Sequence, residues 1–294
     1  MPTPSITARG AVGIRKEASF GSGGGIDNWQ VVESASLNRS NQHVIQDRVR
    51  NTPEQVGARF MHTMVSGQIV FPVSPNNPSQ WWECGIGGTG PYTPQLPLSS
   101  MAIELQEGDV ASVYSSGDMI GRIEFNSQAG DILRCTVGIE GKAVDARVTP
   151  STTSFSSGDD PYIHADAVFT LDNVINNQIM AFSVAKENNL VTDLFATGLT
   201  RRDIPATKAV VTGSISILFE NTTYRNRFFN QLPSSISVTY TKGAKSFTIL
   251  LNKVVFNTSD RPLSGQTSYI TETLNFTAYT DDPTAENSLK VTVV

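Results

Sequence analysis

Histidine is the side chain best suited to ligate a metal or carry a proton near neutral pH, and this chain holds His43, His62 and His164. Each stands in a different context, with no cysteine or carboxylate at a ligand spacing, so no metal site is expected. Two carboxylate pairs, Asp159-Asp160 and Asp281-Asp282, lie in runs with Ser, Gly or Pro. There carboxylates cap turns in solvent, and general acid or base work is not expected of them. Gly21-Ser22-Gly23-Gly24-Gly25 could cradle a phosphate with its amides, but neither Lys-Ser nor Lys-Thr follows and no helix opens after it. Gly85-Ile86-Gly87-Gly88-Thr89-Gly90 fails as a dinucleotide fingerprint, because a helix rather than a strand precedes it. Ser99, Ser115 and Ser116 lack the glycine elbow that presents a nucleophile. The expectation is a protein without catalytic residues, metal or cofactor.

Cys84 and Cys135 are far apart in unrelated surroundings. This is the usage of a reducing compartment, and both are expected to be buried thiols. The aromatic pairs Trp81-Trp82 and Phe228-Phe229 could stack on bases or sugars, but each falls in a short amphipathic helix that needs large apolar anchors. All four are read as core anchors.

The elements that would carry these residues are mostly strands. β-Branched and aromatic residues fill short segments at 65–73, 120–125, 132–139, 209–219, 236–240, 247–256 and 272–279, divided by Gly, Asn, Ser and Pro. Helix-start signals, Ser74-Pro75-Asn76-Asn77-Pro78 and Glu220-Asn221-Thr222-Thr223, precede helices at 79–84 and 224–231. Three patterns recur in order: 36–44 with 183–191, Val65-Ser66-Gly67-Gln68-Ile69 with Val211-Thr212-Gly213-Ser214-Ile215, and 122–127 with 253–258. The last offset is shorter, which puts roughly fifteen extra residues in the first copy, at the Gly/Pro-rich stretch 85–97. The reading is a duplication, with one β domain over 1–150, a polar linker at 151–161 and a second β domain over 162–294. The polar segment 38–63 is read as a long functional loop carrying Arg39, Arg48, Arg50, Glu54 and Arg59, with a counterpart at 188–206.

Hydrophobic residues form 39% of the chain and charged residues 17%, as in a folded protein that keeps its polarity in Ser, Thr, Asn and Gln. A net charge of −5 lacks the basic excess with which a protein grips nucleic acid. The opening residues have no signal-peptide pattern, and no run of about 18 apolar residues predicts a membrane helix.

Several segments together resemble the tail tube proteins of long-tailed bacteriophages: Gly13-Ile14-Arg15-Lys16-Glu17-Ala18-Ser19-Phe20-Gly21, Met64-Val65-Ser66-Gly67-Gln68-Ile69, the run 121–141, Leu171-Asp172-Asn173 and Ala181-Phe182-Ser183-Val184. The resemblance covers nearly the whole chain. It implies a mainly β fold with two tandem tail-tube-like barrel or sandwich domains, each with one short flanking helix. It also implies stacked rings around a channel that DNA crosses without specific binding. The loop at 38–63 would contact the next ring. Implied partners are further copies of the chain and the tape measure, terminator and distal tail proteins, with assembly in the host bacterial cytoplasm and no membrane. Two domains per chain would let three chains close a pseudo-sixfold ring. The alternatives are another tail component of related fold, such as a tail completion or baseplate protein, and a non-viral β-sandwich binding module; a β-rich hydrolase lacks its nucleophile and base.

Overall fold

A computed structural model describes residues 10–45, 54, 57–108, 111–147, 151–155, 160–262, 269–282 and 288–294. The fold is mainly β. The first series of elements is β1 (Ala11–Lys16), β2 (Asn28–Gln30), β3 (Ser34–Ile45), β4 (Ala58–Pro72), α1 (Gln80–Gly85), β5 (Met101–Glu107), β6 (Ala111–Gln128), β7 (Arg134–Gly141) and β8 (Ala143–Arg147). After a single 3₁₀ turn at His164–Asp166 come β9 (Ala167–Leu171), β10 (Val174–Ile175), β11 (Ile179–Glu187), β12 (Val210–Leu218), α2 (Thr223–Phe229), β13 (Ser234–Lys242), β14 (Lys245–Asp260), β15 (Thr271–Ala278) and β16 (Lys290–Val293). Strict alternation of buried and half-buried residues along β7 and along most of β13 shows why these sequences extend. A pleated strand sends successive side chains to opposite faces, and one face here meets the core.

Strand pairing runs through the same series twice. In the first, β2 pairs β1, β1 pairs β5, β5 pairs β6, β6 pairs β7, β7 pairs β4, β4 pairs β3, and β8 adds to β6. In the second, β10 pairs β9, β9 pairs β13, β13 pairs β14, β14 pairs β15, β15 pairs β12, β12 pairs β11, and β16 adds to β14. The series are joined where β11 pairs with β6, so that all the strands form one sheet of 16.

The registers correct one sequence alignment. Gly67 stands opposite Leu37 and Ile139, and Gly213 opposite Val184 and Phe276. A Cβ on either glycine would come within 2.3 Å of a neighbouring carbonyl oxygen, Ser36 O or Ser183 O, which is why both positions hold glycine. From this anchor Ile139 leads to Ile120 and Phe276 to Phe256. The bulges that follow, between Ile120 and Arg122 and between Phe256 and Thr258, then coincide. Arg122 therefore corresponds to Thr258 rather than to Lys253, and the likeness of 122–127 to 253–258 is one of β-strand composition.

The polar segment 38–63 also differs from its expectation as a loop. Most of its described part is a β-ribbon, in which β3 and β4 stay paired from Ser34 with Val70 out to Ile45 with Ala58. Backbone hydrogen bonds carry this ribbon, since its outer residues are exposed on both faces and bury little apolar surface.

One core runs through both series. Trp82 of α1 packs at 5.6 Å from the Phe125 ring and 5.4 Å from that of Phe247, and Phe125 lies 5.5 Å from Phe247, so β14 contributes to the centre of the first series. Tyr92 and Val291 exchange backbone hydrogen bonds of 2.8 and 2.9 Å, which tie β16 to the Gly/Pro-rich stretch after α1. Among the described residues, no helix is long and apolar enough to cross a membrane.

Candidate assembly interface

The residues with chemical potential are engaged structurally. Among the described residues no group of His, Cys, Asp and Glu could hold a metal. His43 packs on Phe60 and His62 on Phe195. His164 is held between the Ile179 carbonyl at 3.0 Å from Nε2 and Ser127 Oγ at 2.9 Å from Nδ1. Since Nε2 donates to the carbonyl, Nδ1 accepts from the serine. That pair resembles a nucleophile and its base, but Ser127 is buried, and the imidazole is tied to the Ile179 carbonyl rather than to an orienting carboxylate. Asp159 lies outside the described residues, Asp160 pairs with Lys242, and Asp281 pairs with Lys253. Cys84 and Cys135 are buried free thiols, and burial pushes Cys84 up to about 12 and Cys135 well above its ordinary value, which keeps both unreactive.

The glycine loop at 21–25 does surround an anion, and the anion is Glu17. Its carboxylate accepts from the Gly21 amide at 3.0 Å, the Gly23 amide at 2.7 Å, the Gly117 amide at 3.2 Å and the Ser100 hydroxyl at 2.6 Å. Gly21 and Gly23 have φ of 70° and 63°, a conformation that turns these amides inward. Asp118 is nearby, with Ser115 Oγ at 2.6 Å. Burial raises its carboxyl well above the usual range, against the Ser115 hydrogen bond and with help from the Glu17 charge.

The junction between the series is the most elaborate polar construction of the fold. β11 lies antiparallel to β6 from Ala181 opposite Gln128 to Glu187 opposite Arg122. Lys186, 2% exposed, donates to Gly85 O at 3.1 Å and to Asn188 Oδ1. Asn188 Nδ2 donates to Gly85 O at 3.0 Å and to Ile120 O at 2.7 Å, and its backbone amide to Gly121 O at 2.8 Å. Together they close the C-terminal end of α1, where carbonyls lack helical partners. Burial pulls Lys186 down to about 7. At the rim, Arg122 pairs with Glu187 and with Glu124. The counterpart segment 188–206 is largely at the surface, with Asn188, Arg201 and Ile204 buried, and it touches the root of the ribbon. Arg201, also 2% exposed, donates to Val65 O at 3.2 Å, to Gly141 O at 3.0 Å and to Glu140 at 2.9 Å, and the Thr63 amide donates to Leu199 O at 2.9 Å.

The ribbon residues expected to make contacts are spread along it. Arg39 is exposed on β3, with Nε donating to Asn41 Oδ1 at 3.0 Å and Nη2 lying 3.4 Å from Thr63 Oγ1. Arg59 is exposed near the start of β4, Glu54 is exposed between β3 and β4, and Arg48 and Arg50 lie outside the described residues. The helix anchors divide. Trp81 and Trp82 are 0% and 2% exposed, and Phe228 is half-buried against the core, but Phe229 is 66% exposed. The expectation for Phe229 is corrected: α2 buries none of its residues fully, so only one side of the helix touches the core and Phe229 follows on the other.

Several strand sides lack a partner among the described residues, the outer sides of β2, β8, β10 and β16 among them. Two others are the side of β3 away from β4 and β14 beyond Val254, where β13 ends. They occupy the places in the series that β11 and β6 fill at the internal junction. Exposed strand edges are templates for another chain. A family model described as phage tail tube protein matches residues 7–278. The chain belongs to the phage tail tube family. No curated protein matches it. As a tail tube protein it is a structural component of the virion tail, in a family that implies self-assembly and association with other tail proteins. For a tail tube protein, open edges are surfaces that assembly can use.

Proposed function

We propose that this tail tube protein is non-enzymatic and polymerises into stacked rings, three chains to a ring, around a channel through which DNA enters the host without specific binding. Each chain contributes two tandem β units, 1–150 and 162–294, joined by the 151–161 linker, so six units surround the lumen. The observation that carries this reading is the internal junction: β6 is already joined edge to edge with β11, and β3 and the end of β14, in the matching places of the two series, have open sides on which the step can repeat. Such an interface is head-to-tail, and it closes into a ring when the rotation per step divides a full turn. Ring closure covers these two edges, which would otherwise be templates for aggregation. A net charge of −5 favours passage of a polyanion over its retention.

Within this reading the β3–β4 ribbon reaches the adjacent ring, with Arg48, Arg50, Glu54 and Arg59 supplying its contacts, while Arg39, opposite Val65 nearer the root of the ribbon, is left to the joint within the ring. The tape measure, terminator and distal tail proteins meet the tube along its lumen and at its ends, and assembly takes place in the host cytoplasm. Image reconstruction of the purified, assembled chain tests the proposal. Hollow tubes with threefold density, in which the stretch after α1 repeats three times per ring, are expected. True sixfold density would reject the three-chain ring. Discrete closed particles that never stack would favour a tail completion or baseplate component instead.

A further inference from the structure

The ring reading leaves open which residues of neighbouring chains meet, and the pairing registers answer this. The correspondence anchored at Gly67 and Gly213 equates Leu37 with Val184, and hence Arg39 with Lys186, Ser40 with Glu187 and Asn41 with Asn188. It equates Arg122 with Thr258 and Ile120 with Phe256. An independent irregularity agrees: β5 slips on β6 where Met101 faces Asp118 and Ile103 faces Ser115, and β13 slips on β14 where Ser234 faces Val254 and Ile236 faces Leu251. The same side of β14 is therefore open from the point at which β6 receives β11.

The polar pair that closes the internal junction also recurs. Lys186 donates to Asn188 Oδ1 inside the chain, and Arg39 donates to Asn41 Oδ1 at 3.0 Å in the matching place on β3. The first pair is buried against the end of α1. The second is exposed, with no helix end beneath it. The end of α2 is left open at Phe229, and α2 buries none of its own residues fully, although its Arg227 and Phe228 carbonyls accept from the Leu232 and Gln231 amides.

We propose that a second copy of this chain supplies the missing half: β3 of one copy pairs antiparallel with β14 of the next, Ser40 opposite Thr258, Arg39 opposite Ser259 and Asn38 opposite Asp260. Arg39 and Asn41 then cover the exposed end of the neighbour's α2, in the places that Lys186 and Asn188 take against the end of α1. Asn41 donates to the neighbour's Phe256 carbonyl in the place of Ile120. The salt bridge of Arg122 with Glu187 becomes a pair of hydroxyls, and a guanidinium replaces the buried ammonium. Arg39 carries several fixed donors and is more weakly hydrated than lysine, so it suits a surface that must dehydrate at each encounter.

This inference rests on the ring reading, and paired cysteines separate the two. Directly opposed Cα atoms on antiparallel strands lie roughly 4.5–5.5 Å apart, within disulfide reach. Cys84 and Cys135 are buried and do not compete. In assembled full-length protein, oxidation of the S40C/T258C variant is expected to yield covalent dimers and trimers on non-reducing gels, while S40C/K253C, the register of the uncorrected sequence alignment, yields none. Tubes that form but link through S40C/K253C, or through neither pair, overturn the register while leaving the ring reading intact. Failure of the wild-type chain to assemble at all removes both. Arg39→Ala combined with Asn41→Ala is expected to raise the concentration needed for assembly at least tenfold without changing the monomer's melting temperature, and Arg39→Lys alone to keep most of the assembly, since lysine does the equivalent work at 186. An unchanged assembly threshold in the double variant would overturn the role given to this pair.

Discussion

Lys186 meets two amide oxygens and no carboxylate in a site that is 2% exposed, so its charge is held at the expense of stability. Burial lowers it from 10.5 to about 7 in the folded chain. Below pH 7 both states are protonated and the folded state bears the full cost. Between about 7 and 10.5 only the unfolded state keeps the proton, so stability rises with pH by about 1.4 kcal/mol per unit from this group. Lys186→Met removes that slope and is expected to be more stable than wild type at pH 6.5, the two converging toward pH 10. Urea denaturation across this range measures the difference, and parallel curves for the two proteins would remove the charge penalty assigned here. The cost is tolerated because Lys186 and Asn188 satisfy the end of α1 at the point where the two series join.

At the scale of elements, α1 and α2 stand in matching places but carry unequal weight. Trp82 lies among Phe71, Phe125 and Phe247, so Trp82→Ala is expected to cost about 3–5 kcal/mol. Phe229→Ala is expected to stay within about 0.5 kcal/mol in the dilute monomer. Chemical denaturation of the two variants checks the contrast, and equal losses would mean that α2 is anchored as α1 is. The ribbon is an element of another kind, because its outer described residues are almost all exposed and contribute little core. Replacing residues 43–60 with a short Asn-Gly turn is expected to leave folding and ring formation intact while abolishing stacked tubes. Microscopy of this variant decides: tubes of normal length would refute the stacking role of the ribbon.

For the whole molecule, the repeated series do not behave as separate beads. Phe247 completes the aromatic cluster around Trp82, β11 pairs with β6, and β16 is tied to Tyr92. Since each half completes the core of the other, heat is expected to unfold the monomer in one cooperative transition despite its internal repeat. Two resolved calorimetric peaks would show that the contacts between the halves are weaker than the cores within them. A rigid joint inside the chain also gives assembly a template, because every further joint between chains need only repeat geometry that folding has already fixed.

What the sequence by itself determined is what local chemistry and spacing can carry. Alternating β-branched residues dictated strands, two short helices followed the segments rich in Pro, Asn and Thr although neither N-cap side chain, Ser79 or Thr222, makes a capping hydrogen bond, and Gly67 and Gly213 marked positions where a neighbouring carbonyl leaves no room for a Cβ. The resemblance to tail tube proteins was legible for the same reason, as ordered motifs along the chain. Tertiary structure alone decided the rest. The likeness of 122–127 to 253–258 misled because strand composition repeats without register, and only the ladders and their bulges fix which residues face each other. A polar ribbon has no apolar face to announce its strands, so 38–63 read as a loop. Phe229 beside Phe228 and Lys186 beside Ala185 are unremarkable in one dimension. Whether each is exposed or buried depends on which strand lies across from it, and for the open edges of β3 and β14 that partner is not found among the described residues of this chain.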